Sequence, residues 1–533
     1  MTSTPRARRW RAVGAATTGV ALVAVGTAVA NAATAPPPAL SMVSTLGEAF
    51  VERYVYGDEP GQAFVSGDLG AYLIAGSDPF ELRATRASYA DKLVTDRVVV
   101  KNGRKSKVRL PDGMVTDFTG LQNFTTFTLK DAAGRTVYAG GSTFCPSPYG
   151  TERTRPDAPD TSPYPQGCGS NPFLLANVWG IQAGFSAGID LPDGLDVPDG
   201  TYTTTIGIAE KYRSYLQIPA DKATATFKLT VNTSRYDEEE DASRLASAGA
   251  RRALAQAPAA PGADHGHATE GDPKRQVSAY SPDLRPPVRR PSTMARAALP
   301  KGPRPDLRSL PAWGISLTEG YGENDEPDGR QYIAFGATVW NAGTSPLVVD
   351  GFRRPGTELM DAYQYFYDPA GKQVGSTTAG TMEWDKREGH LHWHFTDFAQ
   401  YRLLSADKKL AVRSGKEAFC LVNTDQVDTV MPNAKWRPSN TDLSSSCGQH
   451  TAVAVREVLD IGNGDTYHQG LPGQSFDVTD LPNGTYYVEV LANPSNVLTE
   501  LSTANNSSLR QVILSGAGAD RKLTVPALHG LDG

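Results

Sequence analysis

Apolar and polar positions alternate with a period of two along much of this chain. Ala223 to Val231 (ATATFKLTV) puts alanine, phenylalanine, leucine and valine on one side and threonine and lysine on the other, the pattern of a half-buried strand. Tyr332 to Trp340 (YIAFGATVW) predicts another half-buried strand, ending in Asn341-Ala342-Gly343. Pro198-Asp199-Gly200-Thr201-Tyr202 reads as a turn feeding a strand, and Pro482-Asn483-Gly484-Thr485-Tyr486 repeats it before YVEVL. Between these regions the pattern disappears. From Tyr236 to about Pro300 an acidic run (Asp237 to Asp241) leads into alanine- and proline-rich sequence ending in PPVRRP. The expected fold is mainly β: two antiparallel β-sandwich-like domains, residues 45–235 and 301–533, joined by a disordered Pro/Ala-rich linker over 236–300. A short Ala/Arg helix is expected near Ala242 to Ala255, and the linker's His265 and His267 read as solvated.

Composition adds compartment and excludes partners. Arg6 to Arg11 is basic, Ala12 to Ala30 is uncharged, and Ala30-Asn31-Ala32 offers small residues for cleavage. Residues 1–32 are therefore expected to be a signal peptide, with Arg8-Arg9 also compatible with twin-arginine export. No other run reaches the ~18 apolar residues of a spanning helix. The expectation is a secreted, extracellular protein without stable membrane insertion, with cell-wall association as a variant. A net charge of −6 gives no field that favours phosphate, so nucleic acid is not an expected partner. The 52 glycines and 38 prolines exceed the usual share of ~12% combined and fit many turns plus a linker. Four cysteines allow three connectivities. Pairing within each half, Cys145–Cys168 and Cys420–Cys447, is the simplest in an exported chain.

The chemistry is concentrated at Glu388-Gly389-His390-Leu391-His392-Trp393-His394-Phe395. On a strand, His390, His392 and His394 share one face, while Leu391, Trp393 and Phe395 share the other and can pack into the core. A helix would scatter the three imidazoles. Three neutral imidazoles suit copper, zinc, iron or nickel rather than calcium or magnesium. Zinc would point to hydrolysis and copper to oxygen chemistry. Lys416 and Tyr467 would not be singled out by physics alone; their plain readings are a surface lysine before a strand and a half-buried tyrosine.

Taken together, these segments resemble the lysyl oxidase family of copper amine oxidases over about residues 300–515. His390-Leu391-His392-Trp393-His394 is followed by Phe398 and Tyr401-Arg402-Leu403-Leu404. Gly415-Lys416 is followed by Phe419-Cys420-Leu421. Asp465-Thr466-Tyr467, Asp477-Val478-Thr479-Asp480, Asn493-Pro494 and Asn505-Asn506 complete the series in order. The resemblance implies that the three histidines hold copper and that Lys416 and Tyr467 become one cross-linked cofactor, lysyl tyrosylquinone. It implies oxidation of a primary amine, a lysine-containing protein or a small amine, by molecular oxygen to an aldehyde, with release of ammonia and hydrogen peroxide.

Two departures stand out. A family histidine proposed as the base aligns with Gln400, which cannot take a proton; Asp397 and His468 are the candidate substitutes. A family calcium site aligns with Asp306, Leu307, Glu500, Asn505 and Asn506, but Ser502 replaces an aspartate. Hard oxygen ligands of this kind suit calcium. A non-catalytic surface-adhesion protein and a zinc metallohydrolase are the competing functional readings. Residues 33–235 lie outside the resemblance.

Overall fold

The alternation in the sequence is realised as paired strands. Thr224–Arg235 buries Ala225, Phe227, Leu229 and Val231 and exposes Thr224, Thr226 and Lys228. The structure is a computed structural model that describes residues 40–55, 63–101, 103–235, 302–321, 327–368, 371–386, 391–413, 418–437, 443–471 and 473–533. The expected export segment, the linker with its expected short helix and its two histidines, His390 and Lys416 lie outside the described residues.

In the N-terminal half, Thr224–Arg235 sits in a six-stranded sheet between Gly200–Ile208 and Glu48–Val55. The pairing with Glu48–Val55 is parallel, so this sheet is mixed rather than purely antiparallel. A parallel neighbour needs a long crossover, and here most of the half lies between the two strands. Two smaller sheets, of three and four strands, complete the half. The repeated turn motif has one structural meaning in both halves. The Tyr202 hydroxyl donates to the Pro198 carbonyl at 2.7 Å, and the Tyr486 hydroxyl donates to the Pro482 carbonyl at 2.7 Å. Each tyrosine pins the turn that launches its own strand, Gly200–Ile208 or Gly484–Ala492. The Cys145–Cys168 and Cys420–Cys447 disulfides are both present.

The C-terminal half holds the site on a curled sheet. Its strands run in the order Ala418–Phe419, His392–Thr396, Gln373–Asp385, Leu359–Tyr367, Leu347–Arg353 and Ala454–Leu459. Ser446 and Cys447 bridge the two ends. The Trp393 N–H donates to the Cys447 carbonyl at 2.9 Å, and the Ser446 N–H donates to the Arg456 carbonyl at 2.7 Å. The sheet therefore closes on itself. A second sheet pairs Pro327–Asn341 with Asn463–Tyr467, placing Tyr467 opposite Ala337 and Thr466 opposite Thr338.

Tyr332 to Trp340 is buried at every position instead of half-buried. One face, Ile333, Phe335, Ala337 and Val339, packs into the C-terminal core. The other meets the N-terminal half, where Trp340, Leu310 and Val427 join its hydrophobic cluster. Hydrogen bonds cross the same junction. The Leu175 and Ala176 N–H groups both reach the Val427 carbonyl, the Thr429 N–H reaches the Ala176 carbonyl, and the Val178 N–H reaches the Thr429 hydroxyl at 2.8 Å. Gly462 lets this segment approach: at φ +81°, a Cβ there would run into the Asp428 carbonyl. Tyr164 stacks on Trp436 at 6.0 Å, and the Arg83 guanidinium lies over the same indole. The halves thus share a packed, hydrogen-bonded interface in addition to their covalent connection.

Removing the Trp340 side chain opens a cavity on that interface. Trp340→Ala is expected to lower stability by roughly 3–5 kcal/mol, read as a shift in the midpoint of chemical denaturation at unchanged slope.

Candidate functional site

His392–Thr396 carries the two described histidines of the motif, His392 and His394. Trp393 and Phe395 are fully buried, as expected of the apolar face. Leu391 departs from that expectation and is 59% exposed, because the strand begins at His392 and its alternation does not extend back to 391. The histidine face is not an open surface either, since the curled sheet encloses His394 completely. The His394 and His392 Nε2 atoms lie 2.9 Å apart. Two imidazole nitrogens each about 2.0–2.1 Å from one ion, at near a right angle, have this separation. Asp385 Oδ2 lies 3.3 Å from the other nitrogen of His394, Nδ1, the arrangement that fixes a metal-binding tautomer. The pair and its carboxylate therefore fit a transition metal. Asp385 was not singled out by the sequence; it is one of several acidic residues near the motif, and only the register opposite His392 reveals it.

Tyr467 reaches the same region from the second sheet. Its ring meets Phe419 edge-on at 5.0 Å, and its hydroxyl donates to the Cys420 carbonyl at 3.3 Å. Phe419 also meets Phe398 and Tyr401. Ala418 and Phe419 pair with Thr396 and Phe395 of the histidine strand. The strand next to the histidines and the segment against Tyr467 are thus the same piece of chain, and Lys416 precedes it by two residues. Burial pushes the Tyr467 phenol well above its usual range, aided by Asp465, Tyr401 and Glu457. The unmodified phenol is therefore held neutral.

The two departures in the sequence take definite places. Gln400 is buried on the face of its strand opposite Tyr401, the residue that meets Phe419. Asp397 is buried in the turn after the histidine strand, in left-handed backbone at φ 62°. His468 packs edge-on against Trp313 at 5.6 Å. Glu457, missed in the sequence, is fully buried with its carboxyl near Tyr467. Its signal was a charged residue at a core-facing position between Val455 and Leu459.

A second polar cluster ties Asp306 and Leu307 to the 500–506 loop. Glu500 accepts the Leu307 N–H at 2.8 Å and the side-chain amides of Asn493 and Asn506 at 2.7 and 2.9 Å. Asn505 donates to Asp306 at 3.0 Å. Asp306 Oδ1, Asn505 Oδ1 and Asn506 Oδ1 are buried acceptors without a hydrogen-bond partner among the described residues. Unsatisfied buried oxygens are costly, and this donor set suits a hard cation. Ser502, in the place of the expected aspartate, receives the Ala504 N–H instead.

With this geometry in view, the comparisons with known proteins are specific. A protein-family model described as lysyl oxidase matches residues 368–520. Protein-lysine 6-oxidase of Sus scrofa is 30% identical over 128 residues, 23% of this chain and 44% of the relative. Protein-lysine 6-oxidase of Gallus gallus is 32% identical over 125 residues, 23% of this chain and 26% of the relative. Lysyl oxidase homolog 4 of Mus musculus is 28% identical over 129 residues, 24% of this chain and 15% of the relative. The similarity thus spans less than half the length of each of these relatives. Among the described residues, no helix is long and apolar enough to cross a membrane.

Several buried carboxyls in this half are held toward their neutral form. Burial raises Asp425, Glu457 and Glu500 and pushes Asp460 up to about 7. An unfolded aspartate ionises near 3.9, so between about pH 4 and 7 the folded chain keeps a proton at Asp460 that the unfolded chain has released. Stability must fall as pH rises through that window, by roughly 3–4 kcal/mol from this residue. Asp460→Asn is expected to flatten the decline, measured by denaturant titrations from pH 4 to 8.

Proposed function

We propose that this chain, whose residues 368–520 fall in the lysyl oxidase family, is a secreted copper-dependent amine oxidase acting on primary amines, either lysine side chains of proteins or small amines. The observation that carries the reading is the meeting of two elements at Phe419, the histidine strand paired to it and Tyr467 packed on its ring, with Lys416 a few positions earlier in the same chain segment. His390, His392 and His394 would hold copper, with Asp385 orienting His394. Lys416 and Tyr467 would supply the lysyl tyrosylquinone. When bound, copper and the quinone supply the two-electron oxidation of an amine by oxygen to an aldehyde, with ammonia and hydrogen peroxide as the other products.

The chain's own residues have narrower tasks. Phe419 packs edge-on against the Tyr467 ring, and Phe398 and Tyr401 back Phe419, so this aromatic cluster excludes water from that side of the ring. The Cys420 carbonyl accepts the hydrogen bond of the Tyr467 hydroxyl and sets the direction of the phenol. The Cys420–Cys447 disulfide ties that carbonyl to the residue whose own carbonyl accepts the Trp393 N–H, within the histidine strand. At the second cluster, Asp306, Glu500, Asn505, Asn506 and the Leu307 backbone would bind calcium, which would satisfy the orphaned oxygens.

The test uses the full chain loaded with copper in air. A redox-cycling quinone stain on a denaturing gel is expected to label the wild type and to be absent from Lys416→Ala and Tyr467→Phe. Copper-loaded wild type that never stains sinks the proposal, and peroxide release with lysine peptides against small diamines then ranks substrates. Calcium has its own readout. It is expected to raise the thermal midpoint of the wild type by several degrees at saturating concentration, with the shift lost in Glu500→Gln.

A further inference from the structure

Glu457 occupies a position where an apolar side chain would be the simple choice. Alternate residues of a strand share a face, and in Ala454–Leu459 its neighbours on that face, Val455 and Leu459, belong to the C-terminal core. Val458, on the opposite face, belongs to a separate cluster with Tyr363 and Tyr365. Glu457 is fully buried, and burial drives its carboxyl far toward the neutral form. Placing a carboxyl in such surroundings is unfavourable unless it completes hydrogen bonds that the fold cannot otherwise make.

One is in place: Glu457 Oε2 accepts the Leu421 N–H at 3.0 Å, and the Phe395 backbone lies against the same carboxyl. Phe395 directly follows His394. The Leu421 N–H belongs to the same peptide unit as the Cys420 carbonyl, and that carbonyl accepts the Tyr467 hydroxyl at 3.3 Å. Because a peptide unit is planar and rigid, the carboxyl at its N–H edge fixes the direction of the carbonyl at its other edge. One side chain thereby lies against the backbone next to His394 and holds the peptide unit that orients the phenol.

We propose that Glu457 is a positioning residue that couples the histidine strand to Tyr467 through the Cys420–Leu421 peptide, keeping the phenol in the orientation from which the cofactor is built. This rests on the amine-oxidase reading above for its chemistry, but not for its geometry. Leucine at this position would fill the volume and leave the buried Leu421 N–H without this acceptor. Glutamine would keep an acceptor and nearly the same shape.

The experiment compares Glu457→Leu, Glu457→Gln and wild type in the full chain. Amide hydrogen exchange is first read on the copper-free proteins. Glu457→Leu is expected to exchange at least about tenfold faster at residues 393–396 and 418–422, with Glu457→Gln close to wild type. After copper loading, Glu457→Leu should bind the metal with an altered Cu(II) spin-resonance spectrum and give less than about a tenth of the wild-type quinone stain. Glu457→Gln should restore both. Wild-type exchange and staining in Glu457→Leu would overturn the proposal. So would a Glu457→Gln protein that folds and binds copper but fails to stain, and that variant decides alone if the leucine protein does not fold. A wild type that binds copper without ever staining refutes the amine-oxidase reading, whereas the exchange pattern stands or falls separately.

Discussion

The paired segments 332–341 and Asn463–Tyr467 have no face exposed to solvent, and the rest of the C-terminal half is arranged around that constraint. A strand buried on both sides must find an acceptable partner for every side chain, polar ones included. On the face toward the N-terminal half this is done by a chain of hydroxyls and amides. Asn171 donates to Thr338 at 3.0 Å, Thr338 and Thr466 share a hydrogen bond at 2.7 Å, and Thr466 donates to the buried Asp425. On the other face lie Tyr467, Asp465 and the aromatic cluster. The two faces of one strand therefore connect the N-terminal half to the residue on which the proposed chemistry depends, at adjacent positions 466 and 467.

This arrangement gives the N-terminal half a physical role that a tethered targeting module would lack. Asn171 and Ala176 come from that half, and they close the polar chain and extend the backbone pairing at Val427 to Thr429. The electrostatic character of the region follows from the same enclosure. With solvent removed from both sides, carboxyls such as Asp425, Glu457 and Asp460 are stabilised as acids rather than as anions. A neutral carboxyl can still accept backbone N–H groups, which is the use the structure makes of Glu457.

Much of this was legible from residue patterns, and the remainder was not for identifiable reasons. The alternation at 223–231, the turn motif at 198–202 and 482–486 and the pairing of the cysteines depend on local spacing, and each is found in the structure. The histidine alternation located Trp393 and Phe395 correctly inside the core but overran at Leu391, because periodicity does not mark where a strand begins. The full burial of Tyr332 to Trp340 could not be read locally. Its second face is covered in part by the N-terminal half, where Asn171 reaches Thr338 across 167 positions, and an apolar run with Gly336 and Thr338 in it is equally consistent with one wet side. Asp385 and Glu457 escaped notice because a carboxyl that lies beside a metal or an amide is distinguished by register and closure of the sheet, not by its neighbours in sequence.

The packed junction between the halves also changes the meaning of the long stretch that joins them. Where two modules touch only through a tether, cutting the tether separates them, and evolution can exchange one without disturbing the other. Here the Val427 to Thr429 pairing and the Trp340 contacts would keep the halves associated after a cut in residues 236–300, since the interface itself supplies the association. A protease that processes the chain there would yield a two-chain protein with its site still walled. A recombination event that swapped the first half for another β domain would strip one side from the strand that bears Tyr467. The two halves are thus expected to be inherited as a unit, although covalently they look interchangeable.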